Sequence, residues 1–170
     1  TLNGHGTQVA GIIVAGRDNG KGVSGAGYGA GGSRFRIMPI RVLDAEGNGQ
    51  EITVAYGIYY AVEQGAQVIN LSLGAQPGQT AHPAILEAVQ HALDEGALVV
   101  AAAGNHGMPL LPAPANIPGV VSVGALSIWG MPAGFSNHGA DLDIMAPGGG
   151  ALSALVMASP VGPETGAIEV

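Results

Sequence analysis

The chain has 170 residues, 47% hydrophobic and 10% charged, enough apolar material to bury one substantial core. Five Lys and Arg against twelve Asp and Glu give a net charge of -7, which argues against nucleic acid and against an anionic membrane surface as partners. No cysteine is present, so disulfides, thiolate metal sites and a cysteine nucleophile are excluded.

In chain order, His5–Ala15 reads as a closely packed helix, with Ala10 and Gly11 leaving room for a neighbouring backbone. Phe35–Leu43 is apolar and branched and predicts a strand, although Pro39 lies within it. Glu51–Gln64 carries Ile52, Ala55, Tyr56, Tyr59, Tyr60, Ala61 and Val62 close to helical spacing. Gln67–Leu73 predicts a short buried strand, and Pro83–Glu95 an amphipathic helix ended by Gly96. Ala97–Ala103 is continuously apolar, as a central parallel strand is. Val120–Ala125 and Leu142–Ala146 predict two more strands.

Strands alternating with helices of this length imply βαβ units and a mostly parallel sheet with helices on both faces, an α/β class. Gly and Pro clusters punctuate the fold as loops, and none is long enough for a linker, so residues 1–170 read as one domain. No segment combines a basic start, an apolar run and a small-residue cleavage site. The apolar runs are too short or too broken by Gly to span a bilayer. Ligands on parallel sheets sit at the carboxyl ends of the strands, so the loops after Leu73 and Ala103 are the places to look for chemistry.

Three segments stand out. In Asn3-Gly4-His5-Gly6-Thr7 a histidine between two glycines opens a helix; flanking Gly leaves the ring reachable, as a general base requires, although a capping or core histidine fits too. In Ala101-Ala102-Ala103-Gly104-Asn105 a buried strand stops abruptly, where Asn can aim its amide at an oxyanion or simply make a turn. In Val68-Ile69-Asn70-Leu71-Ser72-Leu73-Gly74 polar residues interrupt a strand near its carboxyl end, where an extended peptide can add as a further strand. Those polar groups serve equally well to satisfy neighbouring loops.

Taken together and in this order, the segments resemble the subtilisin-like serine proteases, the subtilases. His5-Gly6-Thr7-Gln8-Val9-Ala10-Gly11 matches the family pattern H-G-T-x-V-A-G, Asn70–Gly74 matches N-x-S-L-G, and Ala102–Asn105 matches A-A-G-N. Pro114–Ala125 is similar to P-A-x-x-x-x-V-I-x-V-G-A, and Phe135-Ser136-Asn137 with Ala146-Pro147-Gly148 is similar to F-S-N and A-P-G. The likeness covers about residues 1–148; residues 149–170 diverge.

The resemblance implies a three-layer α/β/α sandwich and a serine endopeptidase acting on a peptide or protein substrate. His5 is then the general base and Asn105 the oxyanion donor. Ser72, Leu73, Gly74, Ala103 and Gly104 line the substrate cleft, and Ala113–Pro114 falls where the family has a cis peptide. A secreted or extracellular location is implied, as is an absence of any catalytic cofactor.

The chain also departs from the pattern. The family order is Asp, His, Ser, and none of the four residues before His5 is an aspartate. The nearest approach to G-T-S-M-A-x-P is Ala154-Leu155-Val156-Met157-Ala158-Ser159-Pro160, with Val156 where the serine belongs. One reading is a non-catalytic, peptide-binding relative. The favoured one is a partial catalytic domain whose serine lies beyond Val170, inactive as this chain alone. His106 follows Asn105 where some relatives carry an acidic residue, which weakens any expectation of a preference for basic side chains.

Residues 16–23 fall where many subtilases hold a structural calcium. Asp18 and Asn19 offer two oxygen ligands, while Lys21 opposes a cation, so a calcium site and a solvated turn both remain open. Gly27-Tyr28-Gly29-Ala30-Gly31-Gly32 fits G-x-G-x-x-G, but no helix fits between Gly32 and the following apolar run, which argues against a nucleotide. His82 and His91 form no zinc pattern.

Overall fold

Residues 4–29, 32–33, 35–76 and 78–149 are described by a computed structural model. They divide into two units, one whose described residues lie within Thr1–Gly49 and one comprising Gln50–Gly149.

In the first unit, Gly4 turns the chain into helix α1 (His5–Val14), close to the span expected from the sequence. Gly6 and Ala10, four apart on one face, are its buried residues. The carbonyls of Ile12, Ile13 and Ala15 at its end accept the N–H groups of Ala26, Gly27 and Gly25, each at 2.8 Å, so the helix terminus is satisfied by backbone rather than by water. Strands β1 (Tyr28–Gly29) and β2 (Gly32–Ser33) then pair antiparallel. Tyr28–Gly29 and Gly32–Ser33 are thus strand, and no helix follows them before Glu51 among the described residues. The strand expected at Phe35–Leu43 is not formed. Pro39 in its middle has no N–H for a ladder, and Phe35 and Met38 are exposed, so apolar composition alone misled there.

The second unit is built from α2 (Glu51–Glu63), β3 (Val68–Leu71), α3 (Pro83–Asp94), β4 (Leu98–Ala102), β5 (Val121–Leu126) and β6 (Ile144–Pro147). Both helices end alike. Ala66 donates to Ala61 and Ala97 to Ala92, each at 2.9 Å, around Gly65 and Gly96 at positive φ, the bond pattern of a Schellman stop. At its start α3 is capped by a ring: His82 Nδ1 accepts the Ala84 N–H at 3.2 Å, with Pro83 in the first helical turn.

The four strands lie in sequence order, β3-β4-β5-β6, and every neighbouring pair is parallel. This is the α/β architecture expected. The alternation of strand and helix holds only from α2 to β4, because residues 103–120 and 127–143 connect their strands by turns without an α-helix. Pro109, Pro112, Pro114 and Pro118 deny the first of these stretches a helical ladder.

One face of the sheet is the core. Ile69, Leu71, Val99, Ala101 and Ser122 share it by register and are 0–7% exposed. Ala88, Val89 and Ala92 of α3 are wholly buried, and Tyr59 of α2 meets His91 of α3 with ring centroids 5.1 Å apart. Burying side chains such as Val89 and Val99 stabilises the fold by roughly 1.5–3 kcal/mol each. The opposite face, with Val68, Leu98 and Ile144, is half exposed.

Ser122 is the polar member of the buried face. Its Oγ accepts the Asp143 N–H at 2.9 Å and directs its single proton between Asp143 Oδ2 at 2.8 Å and the Asp141 carbonyl at 3.0 Å. Its N–H donates to the same Oδ2 at 2.8 Å. The Ser122 N–H, and after it the hydroxyl, hold the Asp143 carboxyl below the usual carboxylate range, against a smaller opposing effect of desolvation. A depressed folded-state pKa contributes stability that is full above the unfolded value, about 3.9, and is lost as pH falls through the folded value. Asp143→Asn is therefore expected to lower the denaturation midpoint at neutral pH, with the gap to the parent closing below about pH 4 in a pH series of thermal melts.

Candidate active site

The carboxyl ends of β3 and β4 are adjacent in the sheet, since Leu71 pairs with Ala101. Ser72, Leu73 and Gly74 continue β3 past its last ladder residue, and Ala103, Gly104 and Asn105 continue β4. The two continuations meet across Pro112–Ala113. Ala75 N–H donates to the Ala113 carbonyl at 2.8 Å, and a Cβ on Gly74 would lie 3.4 Å from that oxygen. A Cβ on Gly104 would lie 3.4 Å from Pro112 Cδ. The Ala113–Pro114 peptide is cis, as the resemblance led one to expect.

Within this unit β3 is an edge strand. Ser72, Leu73 and Gly74 make no backbone hydrogen bond to another backbone group among the described residues. Their N–H and C=O groups form a short open edge, the arrangement to which an extended peptide adds as a strand. The Ser72 hydroxyl is held locally, accepting from Asn70 Nδ2 at 2.8 Å.

Ala103 is buried and Asn105 exposed, so the chain leaves the core within two residues. Gly104, between them, has φ +99°, a region open to glycine and strained for other residues. A second turn closes on this one. The Phe135 carbonyl accepts from Gly107 at 2.7 Å, Asn137 N–H donates to the Gly104 carbonyl at 3.0 Å, and His138 N–H donates to the Met108 carbonyl at 3.0 Å. The Asn137 side chain is fully buried, and its Oδ1 accepts both His106 N–H at 3.0 Å and Met108 N–H at 3.1 Å. Ser136 Oγ ties the same turn to β5 by accepting the Ala125 N–H at 2.9 Å. In the sequence Asn137 is the last residue of the Phe135-Ser136-Asn137 motif, with no task of its own. A polar residue that is fully buried in a turn is the signal that marks it.

His5 is the first residue of α1 and is exposed. It belongs to the first unit, and the cleft residues belong to the second. The Ala154–Pro160 segment lies outside the described residues.

At the turn where Asp18 and Asn19 offer oxygen to a calcium ion, both side chains already have neighbours. Asn19 Oδ1 already accepts the Lys21 N–H at 2.9 Å, and Arg17 Nε stands 3.9 Å from Asp18 Oδ2. A cation of this kind takes about six to eight oxygen ligands, and among the described residues no three His, Cys, Asp or Glu side chains are gathered for a metal.

Residues 1–166 match a family model described as the subtilase family. The chain is 43% identical over 148 residues to the thermophilic serine proteinase of Bacillus sp. (strain AK1), covering 86% of this chain and 35% of that protein. It is 39% identical over 146 residues to thermitase of Thermoactinomyces vulgaris, covering 86% of this chain and 50% of that protein. Among solved structures, the prenylagaramide maturation protease PagA superposes with a TM-score of 0.72 at 34% identity, over 85% of this chain and 51% of that one. The chain thus spans between about a third and about a half of the length of these relatives.

Proposed function

Because the chain belongs to the subtilase family, whose named relatives are serine proteases, we propose that it contributes the general base, the oxyanion donor and the substrate-binding edge of one subtilisin-type endopeptidase domain. His5 takes the proton from a serine hydroxyl as that oxygen attacks the scissile carbonyl, and later returns it to the leaving amine. Asn105 donates from its side-chain amide to the oxygen on which negative charge develops. Ser72, Leu73 and Gly74 receive the substrate backbone, with Ala103 and Gly104 forming the adjoining wall. The aspartate and serine that complete the triad are not assigned to residues of this chain.

The observation that carries this reading is the open backbone edge of residues 72–74 beside an exposed Asn105 at the end of β4, both resting on Pro112–Ala113. A peptide laid on that edge brings its carbonyl towards the asparagine. No cofactor enters the reaction, and no step needs the Asp18–Asn19 turn. An extracellular location remains part of the proposal, although one relative is named a cell wall-associated protease and another a major intracellular serine protease. No helix among the described residues is long and apolar enough to cross a membrane.

The test is Asn105→Ala in the intact protein, with a peptide anilide as substrate and active sites titrated by a fluorophosphonate. The expected result is a kcat lower by about 10²–10³ with KM little changed, a magnitude taken from subtilisin itself rather than derived from this chain. An unchanged kcat removes Asn105 from the machinery. Peptide binding without fluorophosphonate labelling would instead support a non-catalytic peptide-binding module.

A further inference from the structure

Asn105 presents its amide from an exposed loop, and an exposed loop on its own does not hold a donor to the few tenths of an ångström that charge stabilisation requires. Something must fix it. Neither neighbour in sequence does so by side-chain packing, since Gly104 has none and His106 is exposed. The two peptide groups that flank Asn105 are instead fastened from across the turn, both by the same residue. Asn137 takes the carbonyl of Gly104 with its backbone N–H at 3.0 Å, and takes the N–H of His106 with its side-chain Oδ1 at 3.0 Å. The same Oδ1 holds Met108 N–H at 3.1 Å. The peptide groups immediately before and after Asn105 are thus both anchored to a single buried side chain and its own backbone.

Resting on the functional reading above, we propose that Asn137 is the positioning residue for the oxyanion donor: it sets the backbone of Asn105 and touches no substrate itself. Its carboxamide is used asymmetrically. Oδ1 serves two donors, while Nδ2 is buried with no hydrogen-bond partner among the described residues and lies against Gly104. A buried amide hydrogen left unmade is costly, so the place is not one that asparagine occupies for its donor. The acceptor is what the site uses. That asymmetry separates a positioning role from generic core filling, because Asn137→Asp keeps an oxygen at the Oδ1 place, and burial favours the neutral acid, which differs from asparagine only at the idle end of the group. Asn137→Ala removes the acceptor.

The experiment compares Asn137→Ala, Asn137→Asp, Asn105→Ala and the double variant Asn105→Ala/Asn137→Ala in the intact protein, with kcat expressed per fluorophosphonate-titrated site so that unfolded molecules do not count. Asn137→Ala is expected to lower kcat about 10²-fold with KM within roughly twofold, since a catalytic group displaced by an ångström loses about that much. Asn137→Asp should restore kcat to within several-fold of the parent. The double variant should be no slower than Asn105→Ala alone, because Asn137 acts only through that donor. Equal losses in the Ala and Asp variants, or additive losses in the double variant, overturn the proposal. Should Asn105→Ala itself leave kcat unchanged, the functional reading fails and the positioning role falls with it. A normal Asn137→Ala beside a crippled Asn105→Ala overturns the positioning role alone. If Asn137→Ala does not fold, the Asp variant still decides: near-parental kcat and KM support the acceptor role, and a kcat lower by 10²-fold or more overturns it.

Discussion

Replacing His5 with alanine in the intact protein is expected to abolish peptide hydrolysis while the fold survives. The loss in kcat should be about 10⁶-fold, the figure for removing this group from subtilisin, a member of the same family, and borrowed from it rather than computed for this chain. A loss this large follows from the role, because a serine hydroxyl is a poor nucleophile until a base takes its proton in the transition state. Survival of the fold follows from the position. His5 is exposed at the first residue of α1, while Gly6 and Ala10 carry the buried face of that helix. Alanine is the better helix former, so the substitution does not weaken α1. Active-site labelling by a fluorophosphonate should disappear with the activity, while the thermal midpoint by circular dichroism stays within a few degrees. More than about one per cent of parental kcat would remove His5 from the role of general base, as would a loss of activity that merely tracks unfolding.

What could be read without coordinates was whatever is local. β4 was legible because ALVVAAA is too short and too uniformly apolar for a surface helix, and α3 because Pro83 and Gly96 bracket an amphipathic run. The loops after β3 and β4 followed from the rule that parallel sheets present ligands at strand carboxyl ends. Phe35–Leu43 shows the limit of composition: it has the residues of a strand, but pairing depends on a partner and on N–H groups, and Pro39 lacks one. The turns at 103–120 and 127–143 show another, since a parallel crossover needs length and not a helix. Least legible was the clamp on the Asn105 loop. Asn137 lies 31 residues from the His106 N–H it accepts, and no periodicity in sequence encodes a contact between two turns.

The same clamp makes Gly104 the position where a single methyl group should do the most damage. A Cβ there would stand 2.5 Å from Asn137 Nδ2 and 3.3 Å from its Cγ, with Pro112 Cδ at 3.4 Å on another side. The first distance cannot be borne, and the atom that must give way is not the free end of a surface chain. It belongs to a fully buried carboxamide whose Oδ1 holds two backbone N–H groups. Two costs therefore add. Alanine at φ +99° is strained by roughly 1–3 kcal/mol, and shifting Asn137 leaves buried donors short of an acceptor at about 1–3 kcal/mol more. Gly104→Ala should destabilise by about 2–6 kcal/mol and lower the thermal midpoint by roughly 5–20 °C. The two costs are separable, because truncating Asn137 opens the space that the methyl group needs. Gly104→Ala/Asn137→Ala should then be clearly less destabilised than the sum of the single variants, the residue being backbone strain at position 104. Additive single effects would mean that the two turns are not in contact as described, and a Gly104→Ala loss below about 1 kcal/mol would mean that the loop relaxes around the new side chain.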